Sequence, residues 1–235
     1  MNQTSAEVVV FDFDGTLVSG DSFFNFSVRY CLLRPVRLLL LLAVLPLVPL
    51  ALARSRSAAG SVLLWAMTVL VPTRSYVRAL RSFAERSLPS RVHEETFAEL
   101  RRHVQAGRRV VIATGSLPLL VRVLLRARKV EGLRVVGSRL RRGWGALLVE
   151  THCTGRTKVE ELRRWLGIES WSSVYTDSFA DRSLMRRAQL VTLVAPSART
   201  LANARRLVGT SATLRVLLPG SGLEVVSEQQ HPRGP

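Results

Sequence analysis

The chain has 235 residues, 47% of them hydrophobic, which excludes global disorder and is enough for one α/β domain with an inserted smaller module. Lys and Arg number 34 against 17 Asp and Glu, a net charge of +17 that favours polyanionic partners (nucleic acid, anionic lipid, phosphorylated substrates) without choosing among them. The two cysteines, Cys31 and Cys153, have neither CxxC spacing nor a histidine cluster, which argues against a disulfide framework or a zinc site.

The N-terminus is polar and carries Glu7, so it lacks the basic start and apolar centre of a secretory signal. Val8-Val9-Val10-Phe11 reads as a buried strand of a parallel sheet, ending in Asp12-Phe13-Asp14-Gly15-Thr16. A helix with aromatic content is predicted over 21–33. Residues 38–53 carry no charge and lie between Arg34 and Arg37 on one side and Arg54 and Arg56 on the other. As a helix this run would reach roughly 24 Å, short of a ~30 Å hydrocarbon core, and Pro46 and Pro49 would bend it. A second uncharged run over 58–73 follows. Two short apolar helices back to back read as a hairpin dipping into one leaflet, the alternative being a buried helical pair in a soluble cap. The flanking arginines, able to snorkel to lipid phosphates, favour the leaflet.

Amphipathic helices are predicted over 74–87 and 90–106, the second closed by Gly107. A strand over 108–113 leads to the turn Thr114-Gly115-Ser116 and a helix over 117–129. Residues 134–150 read as a β-hairpin around Gly143-Trp144-Gly145. A helix over 156–166 precedes a short strand over 173–176 that runs into Asp177. A helix over 181–188, a strand over 190–194 and a helix over 198–208 follow. Residues 219–235, rich in Gly, Pro and polar side chains, are expected to form a disordered tail. The alternation predicts an α/β, Rossmann-like parallel sheet with helices on both faces. Residues 1–17 and 89–218 form the catalytic core, and 18–88 an inserted all-helical cap.

Asp12/Asp14, Thr114, the Lys158 helix and Asp177 all fall at the C-terminal ends of predicted strands or just beyond, the edge where open parallel sheets bind ligands. Asp12 and Asp14, two apart at a strand end, project the same way. Two close carboxylates need a cation or a shared proton, and Mg2+ is suited to carboxylates plus a phosphate. Asp177 would supply a third oxygen. A carboxylate can attack phosphorus, and the second carboxyl can protonate the leaving alkoxide and then activate water. Thr114 can donate to a phosphoryl oxygen. Lys158 places a point charge where negative charge develops, and Gly15 lets the backbone turn beneath a phosphate. Only Lys129 and Lys158 are lysines, so a lysine at this point stands out from an arginine background.

Phe11-Asp12-Phe13-Asp14-Gly15-Thr16-Leu17 resembles the DxDGT first motif of haloacid dehalogenase-like phosphatases. Thr114 after Val-Val-Ile-Ala looks like the second motif, Lys158 the third, and Asp177-Ser178-Phe179-Ala180-Asp181 the acidic fourth. The resemblance implies Asp12 as nucleophile, Asp14 as acid/base, and Thr114 and Lys158 on the phosphoryl group. It also implies Mg2+ held by Asp12, the Asp14 backbone carbonyl and Asp177. Gly15, Thr16, Gly115 and Ser116 would line the substrate, with Asp181 and Ser178 in support. Thr176 stands where many members carry Gly. A cap between the first and second motifs is similar to the phosphoserine phosphatase-like branch. The Arg34-Pro35 leucine run with its Leu45-Pro46-Leu47, Leu63-Leu64-Trp65, the turn Ala113-Thr114-Gly115-Ser116, and Arg142-Gly143-Trp144-Gly145 resemble the bacterial phosphatidylglycerophosphatases of the C type. That likeness implies a lipid phosphomonoester substrate, an anionic phospholipid membrane as partner, and a cell-membrane location with the catalytic domain cytoplasmic. A soluble phosphoserine-like substrate is the rival reading. A basic nucleic-acid-associated protein is a further one, opposed by the absence of an aromatic-rich basic platform for stacking bases, and a catalytically silent membrane adaptor another, opposed by the complete set Asp12, Asp14, Thr114, Lys158 and Asp177. The oligomeric state is left unassigned.

Overall fold

The computed structural model describes residues 7–167, 169–209, 211–218 and 222–227. Strand β1 (Val8–Phe11) is apolar on both sides because helices cover both faces of its sheet. Val9 and Phe11 enter one core and Val10 the other, all three fully buried. The chain then leaves the sheet for five helices: α1 (Ser22–Leu32), α2 (Pro35–Val44), α3 (Val48–Arg54), α4 (Arg56–Thr68) and α5 (Thr73–Ser87). Helix α6 (Glu94–Gln105) returns it to β2 (Arg109–Ala113), followed by α7 (Pro118–Ala127) and β3 (Arg134–Val136). A hairpin of β4 (Arg139–Gly143) and β5 (Ala146–Thr151) precedes α8 (Arg156–Leu166), β6 (Trp171–Thr176) and α9 (Arg182–Met185). The remaining elements are β7 (Ala188–Val194), α10 (Ala198–Val208), β8 (Thr213–Leu218) and β9 (Gly222–Ser227).

The main sheet has the order β3-β2-β1-β6-β7-β8-β9, parallel throughout except for β9. This is the predicted α/β architecture with a helical insertion after β1. The strand order reverses at β1, so the crevice beyond the carboxyl ends of β1, β2 and β6 is where such a sheet binds ligands. The cap joins the core through two adjacent crossings. Ser19 N donates to Arg91 O (2.8 Å) and His93 N to Leu17 O (3.0 Å), which ties the outgoing chain to the returning one.

The structure departs from the sequence reading in four places. The predicted hairpin over 134–150 begins later: Arg134–Val136 joins the main sheet, with Ile112 opposite Val135 and Ala113 opposite Val136, and the hairpin starts at Arg139. Gly137 makes the break, since a Cβ there would lie 2.8 Å from Ser116 O. Strand β8 was not foreseen, because Arg215 interrupts its apolar run. With a period of two, Leu214 and Val216 are nonetheless buried beside β7. The expected tail over 219–235 contains β9, antiparallel to β8, where Leu-Glu-Val alternates as a strand should; the rest of that tail lies outside the described residues.

The fourth departure concerns the apolar runs. Helix α2, a 3-10 turn (Leu45–Leu47) and α3 continue as one 20-residue helix, Pro35–Arg54, about 30 Å long rather than 24 Å. Pro46 and Pro49 fall in the first positions of the 3-10 turn and of α3, where a missing N–H costs little. None of this helix is buried, and by length and composition it is the one helix among the described residues able to cross a membrane. The second run behaves differently. Helix α4 buries Ala59, Leu64, Ala66 and Met67 within the cap, while Leu70 beyond its end stays exposed. The hairpin holds it: Leu147 N donates to Thr68 Oγ1 (2.9 Å), Val149 N to Ser61 Oγ (3.0 Å), and Trp65 Nε1 to Trp144 O (3.1 Å).

Candidate active site

Asp12 follows β1 directly and is 7% exposed. Its Oδ1 accepts from Phe13 N (2.7 Å) and lies 2.8 Å from Lys158 Nζ, which also lies 2.7 Å from Asp181 Oδ2. Lys158 arrives from the first turn of α8, whose start is turned by Gly155 at φ 56°. Asp181 ends a 3-10 turn after β6 and takes a second bond from Thr176 Oγ1 (3.1 Å). Burial alone would lower the Lys158 pKa, but the Asp12 and Asp181 carboxylates beside it outweigh that and raise it, so it stays cationic. Burial pushes Asp12 up, Lys158 pulls it back, and the Asp181 charge adds to the rise.

Asp14 is held from the cap and from the core at once. Its Oδ1 accepts from Ser22 N (2.7 Å) and its Oδ2 from Ser116 Oγ (2.5 Å), while the two serine hydroxyls are 3.1 Å apart. Asp21 caps α1 by accepting from Phe24 N, which leaves the Ser22 N–H free to point at Asp14. Burial raises the Asp14 pKa against these hydrogen bonds, the direction a general acid needs near neutral pH.

Asp177 follows β6 and packs over the β1 loop. A Cβ on Gly15, whose φ is +75°, would meet Asp177 Oδ2 at 2.2 Å, so only glycine fits there. Thr16, fully buried, donates to Asp177 Oδ1 (3.4 Å). Burial raises the Asp177 pKa, Asp181 raises it further, and Lys158 and Thr16 lower it. Thr114, also fully buried, ends β2; its Oγ1 accepts from Ser116 N (2.9 Å) and shapes the turn into α7.

Among the described residues no three Asp, Glu, His or Cys side chains converge as a ready-made cage. Oxygens that could be offered to a cation there are the Asp12 and Asp177 carboxylates, at the ends of the neighbouring strands β1 and β6, and the Asp14 carbonyl. An all-oxygen, incomplete set of this kind would suit a hard cation that also takes phosphate and water.

Several assigned residues therefore act on other protein groups. Ser116 binds the Asp14 carboxylate and Thr16 binds Asp177, while Gly115 lies where a Cβ would come within 3.1 Å of Thr154 Cγ2. Ser178 turns the loop by accepting from Ala180 N (3.2 Å). The sequence reading missed Ser22 and the bond from Thr176 to Asp181. The signal for Ser22 was the Asp21 cap, which fixes the direction of the next N–H.

Comparison with known proteins places this arrangement. A protein of unknown function from Bordetella pertussis Tohama I superposes with a TM-score of 0.62 at 21% identity, over 86% of this chain and 97% of that one. A phosphoserine phosphatase in its apo form gives 0.57 at 17% identity, over 85% and 91%. A phosphoserine phosphohydrolase-like protein from Francisella tularensis subsp. tularensis SCHU S4 gives 0.54 at 13%, over 86% and 99%. Likeness at these identities establishes the fold. The family model of the haloacid dehalogenase-like hydrolases matches residues 9–186, a stretch that holds every site residue described above, and the chain belongs to that family.

Proposed function

We propose that the chain is a Mg2+-dependent phosphomonoesterase acting through an aspartyl-phosphate, and that its substrate is a membrane lipid phosphate such as phosphatidylglycerophosphate. The observation that carries the chemistry is the buried Asp12–Lys158–Asp181 set beside Asp14 and Asp177 at the strand-order reversal. The Asp12 carboxylate attacks phosphorus while Asp14 gives its proton to the leaving alkoxide; Asp14 then takes a proton from water as it cleaves the acyl-phosphate. Lys158 stabilises charge on the phosphoryl oxygens. Mg2+, when bound, would neutralise phosphate charge and align it with Asp12.

The lipid assignment rests on an exposed apolar surface. Leu39, Leu42 and Leu50 face outward on the 20-residue helix, Leu50 at 74% exposure. Phe24, Val28 and Leu32 continue the stripe along α1, the helix whose start holds Asp14. Leu70 and Trp144, 86% and 85% exposed, sit together at the hairpin tip, where Leu70 N donates to Gly145 O (3.0 Å). Burying one such side chain contributes about 1.5–3 kcal/mol, so this surface calls for an apolar environment on the order of 10 kcal/mol deep. The inner side of the helix is half-buried and packs on α4, which favours a helix lying in one leaflet over one that crosses. The neighbours named for phosphoserine favour the soluble-substrate alternative.

The test is phosphate release from phosphatidylglycerophosphate in mixed micelles, beside phosphatidic acid, lysophosphatidic acid and phosphoserine, with EDTA and Mg2+ add-back. Preference for the glycerophosphate lipid, lost in EDTA and restored by Mg2+, is expected. Equal or better turnover of phosphoserine would overturn the lipid part and make the apolar helix a feature of some other contact. Gly15→Ala provides a separate check on the metal edge. Its Cβ must displace Asp177, so turnover should fall by roughly 100-fold and half-activation should need more Mg2+. An unchanged Mg2+ titration would remove Asp177 from the metal set.

A further inference from the structure

A second cationic feature, at the other end of α1, takes no part in this chemistry. A cavity of about 190 Å3 opens between α1 and α5. Phe26, Tyr30 and Phe83 form its floor, and Arg29, Arg34 and Arg86 its rim, with the Ser82 and Ser87 hydroxyls between them. Two of the arginines are positioned by the cavity's own residues. The Arg34 guanidinium stacks 4.0 Å over the Tyr30 ring and donates to Tyr30 O (3.3 Å), and Arg86 donates to Ser82 Oγ (2.5 Å). No carboxylate lines the cavity, and among the described residues none of the three arginines makes an ion pair. Three guanidinium groups gathered over an aromatic floor without a counter-charge match a phosphate group, which they can bind through paired N–H donors.

The surroundings indicate which phosphate. Leu33 lines the cavity and is itself exposed, and the exposed Val36 and Leu39 of the apolar helix follow it. A headgroup phosphate seated among the arginines would place its acyl chains along that stripe. Arg29 is seven residues past Ser22, about 10 Å along the helix from the group that holds Asp14, so this is a site apart from the catalytic crevice. We propose that the cavity binds the headgroup phosphate of an anionic membrane lipid that is not the substrate, anchoring the cap where the apolar helix begins. The proposal rests on the membrane part of the reading above and is independent of which phosphomonoester is cleaved.

The experiment compares binding of the full chain to phosphatidylcholine vesicles with and without phosphatidylglycerol, using Arg29→Gln/Arg34→Gln/Arg86→Gln. The exposed triple Arg199→Gln/Arg205→Gln/Arg206→Gln on α10 serves as a charge-matched control. The cavity triple should lose on the order of 100-fold in affinity for phosphatidylglycerol vesicles and little for phosphatidylcholine alone. The control triple, on a core helix that packs against α9 and β8 and not on the cap, should lose less than about threefold. Arg29→Gln alone, an exposed position that leaves the Tyr30 and Ser82 contacts intact, should move the same way. Equal losses in the two triples would overturn the proposal, reducing it to net charge. Tight binding of glycerol 3-phosphate that the cavity triple abolishes, with vesicle binding unchanged, would overturn the lipid source. A wild-type chain that binds no vesicle fails both this proposal and the membrane reading, whereas vesicle binding indifferent to the cavity fails only this one.

Discussion

Turnover of any phosphomonoester by an Asp12→Asn variant should fall by at least about 10^4-fold, with the fold intact. Asparagine keeps the shape of the side chain and an oxygen able to accept from Phe13 N and Lys158, but it cannot attack phosphorus. Little stability should be lost. Lys158 keeps Asp181 at 2.7 Å, and burial already works against a charge on Asp12, so a neutral isostere relieves desolvation while it weakens one ion pair. The measurements are steady-state phosphate release, a thermal melt, and rapid acid quench with 32P-labelled substrate, in which the wild type should show a base-labile phosphoenzyme and the variant none. Residual turnover within tenfold of wild type would end the nucleophile assignment. Asp14→Asn separates the second role. A leaving group that needs no protonation, such as p-nitrophenolate, should still depart and load Asp12, whereas an alkyl phosphate should not. A variant impaired equally on both would mean that Asp14 acts on placement and not on the leaving-group proton.

The parts of this site that were legible in the sequence are those whose chemistry and local structure coincide. An uncharged β-branched run must be a doubly covered strand, and carboxylates at its end must meet at the sheet edge, so Asp12, Asp14 and Asp177 could be placed from spacing alone. Lys158 was visible because lysine is rare here. Contacts between distant segments were not legible. The Ser116 hydroxyl reaches Asp14 across 102 positions, and Ser22 comes from the inserted cap. The two apolar runs have similar composition, yet no residue of the first is buried while the second buries Ala59, Leu64, Ala66, Met67 and Thr68. What separates them is the pair of hydroxyls Ser61 and Thr68 in the second run, which accept N–H groups from β5, while 38–53 offers only Leu, Val, Ala and Pro. Strand β8 went unread, although Leu214 and Val216 flank Arg215 at the period of two that a strand shows.

Removing the charge of Lys158 should be the most destabilising single change at the site. Lys158 is 3% exposed and its ammonium joins two buried carboxylates, so Lys158→Met leaves Asp12 and Asp181 facing each other without a cation. Breaking a buried pair in this way costs about 3–5 kcal/mol, a large share of the roughly 5–15 kcal/mol that holds a domain folded. The deficit should depend on pH. Without the lysine nothing pulls the Asp12 carboxyl back, and burial and the Asp181 charge raise it further above its unfolded value. A raised acid is fully tolerated below the unfolded pKa and loses stability as pH rises through the folded one, so the variant should be closest to wild type near pH 5 and furthest from it near pH 8. Urea midpoints across that range read this directly. Adding Asp181→Asn to Lys158→Met should restore part of the loss at pH 8, because one of the two stranded charges is gone, but should restore no turnover, because the phosphoryl group still lacks its counter-charge. A pH-independent deficit below about 1 kcal/mol would show that Lys158 is not what neutralises these carboxylates. Catalysis and stability then part at one residue: the same ammonium that cancels buried charge in the resting protein is held, by Asp181 and Thr176 behind it, where charge builds on the phosphoryl group during transfer.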